Sequence, residues 1–227
     1  MARKITKKEI EKPDSFQLAL KKIAIYVKEN RSKIYLISGI ITLIIAISCV
    51  WYFYRKNYEN NAQKLYAKAN LVGIRLTMQG GNPDQNILKM YIDVTTQYPR
   101  SKAAMMIHYQ MGNIYYNLGD IESSIKEYTE FLKQVPDGND LKTLAYIGLG
   151  YCYESKKDLK DALESFEKAV ISKLDGSFEG ITYRNIGRIY EEMNNKEMAL
   201  EYYKKALDKT SDPSMEHLLK RKISIIS

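Results

Sequence analysis

The hydrophobic pattern of the chain is dominated by one long run near its beginning. Residues 34–54 read IYLISGIITLIIAISCVWYFY and contain no acidic or basic side chain. A helix rises about 1.5 Å per residue, so this run covers roughly 30 Å, the thickness of a hydrocarbon core. Because a helix satisfies its own backbone hydrogen bonds, the run predicts a single transmembrane helix. Its final aromatic residues, Trp51, Tyr52 and Tyr54, are typical of the membrane–water interface.

Two other interpretations of this run stay open. A cleaved signal peptide has a shorter apolar core, a position close to the N-terminus and a small-residue cleavage site. Here 33 residues precede the run and no A-x-A sequence follows it. The residues Ala46-Ile47-Ser48-Cys49 loosely resemble a lipoprotein signal, but five more membrane-compatible residues follow Cys49. We therefore favour an uncleaved anchor.

Beyond the run, apolar positions recur with helical spacing in three segments, 108–136, 146–174 and 183–211, that align on a glycine. These glycines, Gly112, Gly150 and Gly187, are 38 and 37 residues apart. Each is followed by a tyrosine after three residues, a small residue after twelve and an aromatic residue after sixteen. The three sets are Tyr115, Ser124 and Tyr128; Tyr153, Ala162 and Phe166; and Tyr190, Ala199 and Tyr203. The pattern is similar to the tetratricopeptide repeat (TPR), a helical hairpin of about 34 residues.

These residue types have a physical reason in such a repeat. Glycine and the small residues let the two helices of a hairpin approach closely, and the aromatic residues fill the wedge between one hairpin and the next. The resemblance implies an all-α fold, with a single N-terminal transmembrane helix followed by a TPR superhelix of helical hairpins.

The pattern also divides the chain. We expect a basic tail with a short amphipathic helix over 1–33, the transmembrane helix over 34–54 and an exported repeat domain over 55–227. Within that domain we expect a degenerate hairpin over 58–98, repeats over about 105–137, 143–175 and 180–212, and a capping helix over 213–225. The degenerate hairpin is predicted to break at residues 80–83, which read Gly-Gly-Asn-Pro.

The basic character of the chain is confined to its beginning. The formal charge is +8, yet residues 57–227 carry 23 basic and 23 acidic side chains, whereas residues 1–33 carry ten and four. A neutral large domain lacks the clustered basic face that phosphate binding needs, which argues against a nucleic-acid partner. The positive tail predicts a cytoplasmic N-terminus and a large domain outside, which in a bacterium is the periplasm.

The tail before the run contains a further amphipathic pattern. Phe16, Leu20, Ile23 and Val27 fall on one stripe of a helix, and lysines flank it. Such a helix can lie on the membrane surface or dock on a membrane partner, and both interpretations stay open.

No catalytic or metal-binding motif is present in the sequence. Cys49 lies in the apolar run and Cys152 in the large domain, so they do not pair, and His108 and His217 lack neighbours at ligand spacing. The sequence contains no phosphate-binding loop, dinucleotide fingerprint or nucleophile elbow. We expect no enzymatic activity, no cofactor and no small-molecule substrate.

In TPR superhelices the first helix of each hairpin lines a concave groove, and the resemblance therefore implies a protein-binding surface here. The candidate groove residues are Met106, Tyr109, Asn113, Tyr116, Asn117, Tyr151, Glu154, Arg184 and Arg188, with Leu144, Ile147, Ile181 and Glu191 beside them. This amphipathic set suits extended or partly folded peptide. The specialised clamp that some TPR proteins use for a chaperone's C-terminal carboxylate is unsupported, because Tyr109 replaces its lysine.

The whole layout resembles the bacterial family of ancillary SecYEG translocon subunits (YfgM-like). The resemblance rests on the basic tail, the Lys28-to-Lys33 approach to the apolar run, the repeats, and Lys220, Lys222 and Ile223 near the end. It implies association with the Sec channel and a membrane-anchored peptidyl-prolyl isomerase, and assistance to unfolded envelope proteins. The alternative is a TPR scaffold for outer-membrane assembly or cell-division coordination.

Overall fold

A computed structural model describes residues 15–79, 84–172 and 178–227, and these residues form ten helices and no strand. The helices are α1 (Ser15–Glu29), α2 (Arg31–Met78), α3 (Asp84–Gln97), α4 (Lys102–Leu118), α5 (Ile121–Gln134), α6 (Asp140–Ser155), α7 (Leu159–Ile171), α8 (Glu179–Glu192), α9 (Lys196–Lys209) and α10 (Pro213–Ile226). The start of the basic tail, the predicted break at 80–83 and the expected end of the second repeat lie outside the described residues.

The chain divides into two compact units, Met1–Asn57 and Tyr58–Ser227. In the first unit, the apolar side chains of α1 are exposed, including the stripe of Phe16, Leu20 and Ile23. The long helix α2 contains the apolar run, and none of its apolar window is buried. By length and composition, α2 is the one helix among the described residues able to cross a membrane.

In the second unit, helices pack as successive hairpins: α4 against α5, α6 against α7 and α8 against α9. Neighbouring hairpins contact each other through α5 with α6 and through α7 with α8. The last helix, α10, packs on α9 and buries Leu219 against Tyr203 and Ala206. Residues of α2 beyond Tyr58 and of α3 share a core with α4, which includes Ala69, Tyr91 and Ile107.

The turns within the three hairpins follow one plan. A residue with positive φ lies in the turn after the first helix, and it is Gly119, Lys157 or Asn194. The next residue is Asp120, Asp158 or Asn195, and its side chain accepts a hydrogen bond from the backbone N–H three residues on. This N-cap satisfies a donor that the helix itself leaves free, so the second helix starts at a fixed residue.

The aromatic residue sixteen positions after each repeat glycine is the centre of each hairpin. A Cβ atom added at Gly112 would lie 2.7 Å from the Tyr128 ring, and one at Gly150 would lie 2.4 Å from the Phe166 ring. At Gly187 the corresponding distance to the Tyr203 ring is 2.8 Å. All three aromatic side chains are buried. Glycine is therefore required at these three positions, because the aromatic ring lies against the helix backbone there.

Tyr128 also contacts the following hairpin. A Cβ atom at Gly148 of α6 would lie 2.6 Å from its ring, so the ring fits between the backbones of α4 and α6.

The small residues Ser124, Ala162 and Ala199 are completely buried. The Ser124 hydroxyl donates to the Gly112 carbonyl at 2.8 Å and lies 3.2 Å from the Cys152 sulfur. Cys152 is thus a buried core residue, and burial raises the pKa of its thiol.

Because the glycine and the ring are closely packed, substitutions at the two positions should have coupled effects on stability. Gly150→Ala should lower the free energy of unfolding by about 1–3 kcal/mol, because its methyl group overlaps the Phe166 ring. In a Phe166→Leu background the same change should cost less, since leucine leaves room for the methyl group. Urea titration of the full-length protein in detergent measures both effects, with the exposed Lys160→Ala as the control. Purely additive losses in the free energy of unfolding would show that the Phe166 ring is not the reason that position 150 needs glycine.

Candidate protein-binding groove

The candidate groove residues lie on the first helices of the three hairpins. Eight are half-buried and Asn117 is exposed, so each retains some accessible surface. They are Met106, Tyr109, Asn113, Tyr116 and Asn117 on α4, Tyr151 and Glu154 on α6, and Arg184 and Arg188 on α8. We call the side of α4, α6 and α8 that carries them the groove face. Ile147, also expected on it, is instead buried with Phe166 and Ile186.

Contacts between side chains join the three helices across the groove face. The Tyr116 and Tyr151 rings lie 6.5 Å apart, and the Arg188 guanidinium lies 5.8 Å from the Tyr151 ring centre. Arg188 also donates to Glu154 at 2.7 Å. The structure therefore brings four predicted residues into one row that crosses all three hairpins.

Tyr109 and Asn113 contact the aromatic core of their hairpin. The Tyr109 ring lies 5.4 Å from Phe131 and 6.1 Å from Tyr128, which makes it part of the hairpin's packing. The Tyr128 hydroxyl donates to the Asn113 side-chain oxygen at 2.6 Å. Burial raises the pKa of Tyr128, so the hydroxyl keeps its proton and remains a donor at neutral pH.

The far end of the groove face is charged. Arg184 donates to the Asn185 oxygen at 3.0 Å, and Asn185 donates to the Tyr151 hydroxyl at 2.9 Å. Glu191 accepts hydrogen bonds from Tyr203 at 2.6 Å and from Lys222 at 2.9 Å. A cavity of about 220 Å³ lies here, lined by Arg184, Arg188, Tyr203, Leu218, Leu219 and Lys222.

The two carboxylates of this end have different environments. Burial raises the pKa of Glu154, and the Arg188 guanidinium opposes this shift. Burial also acts on Glu191, but hydrogen bonds from Lys222 and Tyr203 outweigh it and lower the pKa of Glu191. Arg188 and Lys222 are thus matched with carboxylates, whereas Arg184 has no carboxylate partner among the described residues. This end of the groove face therefore carries an excess of positive charge.

The structure reveals a fourth set of groove residues, in the N-terminal hairpin of α2 and α3. The Tyr91 hydroxyl donates to the Asn70 side-chain oxygen at 2.6 Å, and the Tyr66 and Tyr91 rings lie 6.0 Å apart. Tyr66, Ala69, Asn70 and Tyr91 thus correspond to Tyr109, Gly112, Asn113 and Tyr128 of the next hairpin.

Sequence reasoning missed this set although a signal existed. Tyr66-x2-Ala69-Asn70 repeats the order of Tyr109-x2-Gly112-Asn113. A pattern aligned on glycine does not include this set, because the small residue here is Ala69. The spacing differed as well, since Tyr91 follows Ala69 after 22 residues rather than sixteen.

A cavity of about 570 Å³ adjoins this fourth set. The described residues that line it are all uncharged: Tyr66, Asn70, Gly73, Ile74, Thr77, Met78, Ile87, Tyr91 and Gln110. Ile74 and Met78 are exposed, and Gln110 belongs to α4, so the cavity lies between the N-terminal hairpin and the next one. We extend the term groove face to include this cavity and the part of α2 that lines it, so the groove face has an uncharged end here and a charged end at α8.

Metal chemistry finds no support in the described ranges. Residues 15–79, 84–172 and 178–227 contain no cluster of three histidine, cysteine or carboxylate side chains that could hold an ion.

Comparison with known proteins identifies the class of fold. The chain matches the tetratricopeptide repeat-like domain family over residues 26–227, and it belongs to that family. The predicted all-α TPR superhelix is confirmed by this match and by the helices described above. Domains of this type generally act as non-catalytic modules for protein–protein interaction, which is the class of function the fold indicates.

Several solved structures share the fold. A crystal structure of MamA matches with a TM-score of 0.56 at 17% identity, covering 68% of this chain and 82% of that one. A second structure of MamA protein gives 0.57 at 16% identity, covering 72% and 81%. MamA 41-end from Desulfovibrio magneticus RS-1 gives 0.55 at 19% identity, covering 71% and 89%. At these identities the likeness shows the fold alone. No curated protein matches the sequence significantly.

The Tyr128 hydroxyl and its ring should contribute separately to stability. Tyr128→Phe should lower the free energy of unfolding by only about 1 kcal/mol, because it removes the hydrogen bond to Asn113 and keeps the ring. The next hairpin already has Phe166 at this position. Tyr128→Ala should cost about 3–5 kcal/mol, because the space between α4 and α6 is left empty. Urea titration compares the two variants. Equal losses of unfolding free energy would mean that the ring is not the main contribution of Tyr128 to stability.

Proposed function

We propose that this protein is a single-pass bacterial inner-membrane protein whose exported TPR domain binds other proteins. In this proposal, residues 1–33 form a cytoplasmic tail, residues 34–54 span the membrane and residues 55–227 form the periplasmic domain. The domain serves as an ancillary subunit of the Sec translocon and works within the periplasmic chaperone network.

The observation that carries the proposal is the apolar run within α2. None of its apolar window is buried, although its side chains include isoleucine, leucine, tryptophan and phenylalanine. An exposed apolar surface of this length is unfavourable in water and favourable in a bilayer. Trp51, Tyr52 and Tyr54 at its end support an interfacial position.

The basic tail supports the proposed orientation. Ten basic side chains precede the span in a tail of 33 residues, and tails of this kind are retained in the cytoplasm. The exposed stripe of α1, with its flanking lysines, supports contact of this tail with the membrane surface or with a membrane partner.

The anchor gives the groove a physical advantage. A domain that is tethered to the membrane meets other membrane components at a raised local concentration, so weak contacts suffice for useful occupancy. The aromatic and ionic row of Tyr116, Tyr151 and Arg188 supplies contacts of this kind. The proposed partners are the Sec translocon, a membrane-anchored peptidyl-prolyl isomerase and unfolded envelope proteins.

The alternative function uses the same groove for another purpose. A TPR scaffold for outer-membrane assembly or cell-division coordination would have the same anchor and the same fold. The two functions differ in their partners, so the partners decide between them.

In-cell photocrosslinking tests the proposal directly. A photoreactive phenylalanine at Tyr116, Asn117 or Tyr151 should crosslink to translocon components, the isomerase or emerging envelope proteins. The control position is Tyr202 on α9, an aromatic residue outside the groove face, which should give weaker crosslinks. Mass spectrometry of the adducts identifies each partner.

The outcome separates the two functions. Adducts with outer-membrane assembly or division proteins, and none with the translocon, would favour the scaffold. Adducts at Tyr202 without any at the three groove positions would show that the groove face is not the binding surface.

A further inference from the structure

The last turns of α2 have one side that the repeat domain does not cover. Leu71, Ile74 and Met78 remain 65%, 54% and 82% exposed, whereas Ala69 and Gly73 on the other side of the helix are buried. The three exposed side chains are three and four residues apart, so they form one row along the helix. Single exposed apolar residues are common on protein surfaces, but a continuous row of them indicates a place where another molecule binds.

The other end of the repeat domain shows how such a row can be covered. There α10 packs on α9 and buries Leu219 against Tyr203 and Ala206. A stack of helical hairpins needs a cover of this kind, because its terminal hairpin has no neighbour on one side. In the part of the chain that the structure describes, no helix covers the row on α2. The α2 end of the stack is therefore open to a further helix.

Basic side chains run beside the apolar row. Lys64, Lys68 and Arg75 are exposed, and they lie on one side of α2 because they are four and seven residues apart. No carboxylate among the described residues forms an ion pair with any of them. The sequence between Glu59 and Asp84 contains these three basic side chains and no acidic one. This side of α2 therefore presents positive charge that the domain does not neutralise.

The charge and the spacing together define the partner that fits. We call this surface the α2 stripe, and it consists of Lys64, Lys68, Leu71, Ile74, Arg75 and Met78. A second copy of the chain is a poor occupant, because pairing two α2 stripes would bring like charges together. Apolar side chains spaced by three and four residues complement the apolar row of another helix, and the basic side chains complement carboxylates.

We propose that the α2 stripe binds an acidic amphipathic helix of a partner protein. The apolar row of that helix packs against Leu71, Ile74 and Met78. Its carboxylates form ion pairs with Lys64, Lys68 and Arg75. The bound helix covers the open end of the stack, as α10 covers the other end.

This inference goes beyond the proposed function, because it does not use the row of Tyr116, Tyr151 and Arg188. Leu71 and the three basic residues are not among the described residues that line the 570 Å³ cavity. A partner helix on the α2 stripe thus leaves that row accessible to a second protein.

The probe is a fluorescent peptide longer than about 15 residues, so that a helix can form. It carries leucine at alternating spacings of three and four residues, with glutamate beside each leucine. A second peptide carries lysine in place of every glutamate. Binding to the full-length protein in nanodiscs of zwitterionic lipid is measured by fluorescence anisotropy, and empty nanodiscs supply the background.

Leu71→Gln tests the apolar row. We expect this variant to bind the glutamate peptide about fivefold more weakly than the parent, because a buried apolar contact is lost. The control is Ile225→Gln, which replaces an exposed apolar side chain of α10 and should leave binding unchanged. Both side chains are exposed in the free protein, so neither change should affect folding.

Reversing two charges tests the basic side chains. We expect Lys64→Glu combined with Lys68→Glu to bind the glutamate peptide about tenfold more weakly, and to bind the lysine peptide in its place. The matched control combines Lys160→Glu and Lys204→Glu, two exposed lysines of α7 and α9. It has the same net charge and should behave as the parent does.

Four results would overturn the inference. The parent protein could fail to bind the glutamate peptide, or the matched control could lose binding as fully as the double variant on α2. Sedimentation of the full-length protein in detergent could show an oligomer that Leu71→Gln dissociates, and the occupant would then be a second copy. Parent nanodiscs could bind vesicles of anionic lipid while the double variant does not, and the occupant would then be a lipid surface. The proposed function would still be judged by the crosslinks from the groove face.

Discussion

The repeat domain depends on one interaction, the contact between a buried aromatic ring and a glycine backbone. Tyr128, Phe166 and Tyr203 each lie so close to a glycine of the preceding helix that a methyl group there would overlap the ring. Because the Tyr128 ring also meets Gly148, the same contact fixes the spacing between hairpins. Because the interior is closely packed, these contacts between rings and backbones determine the positions of α4, α6 and α8. The groove face is a consequence of those positions.

The hydroxyl groups of these rings connect the core to the groove face. Tyr128 and Tyr91 orient asparagines, whereas Tyr203 donates to Glu191, which also binds Lys222. Phe166 has no hydroxyl, and in that hairpin the Tyr151 ring packs against it edge-on. The same position in the hairpin therefore contacts an uncharged asparagine in some hairpins and a charged glutamate in another, depending on which residue accepts the hydrogen bond of the tyrosine hydroxyl. This division supports the proposal that the groove face binds proteins.

Much of this structure was predictable from the sequence because the repeat constrains residue size at fixed spacing. Gly112, Gly150 and Gly187 predicted the three hairpins, since only a small residue tolerates the ring at that position. The N-terminal set of Asn70 and Tyr91 was harder to find because a longer connection shifts its spacing and alanine replaces glycine. Helical position alone predicts Ile147 on the groove face, yet Phe166 and Ile186 pack around this side chain and bury it. Side-chain hydrogen bonds between repeats depend on three-dimensional spacing and leave no periodic signal in the sequence.

The proposed function requires that the groove face lies outside the cytoplasm, on a chain held in the membrane by residues 34–54. Trypsin added to intact spheroplasts tests this location, with a cytoplasmic protein as the control. If the domain is periplasmic, trypsin degrades residues 55–227 while the cytoplasmic control survives, and residues 1–33 become accessible only after lysis. Survival of the domain in intact spheroplasts, followed by its degradation on lysis, would place the groove face in the cytoplasm and contradict the proposed function.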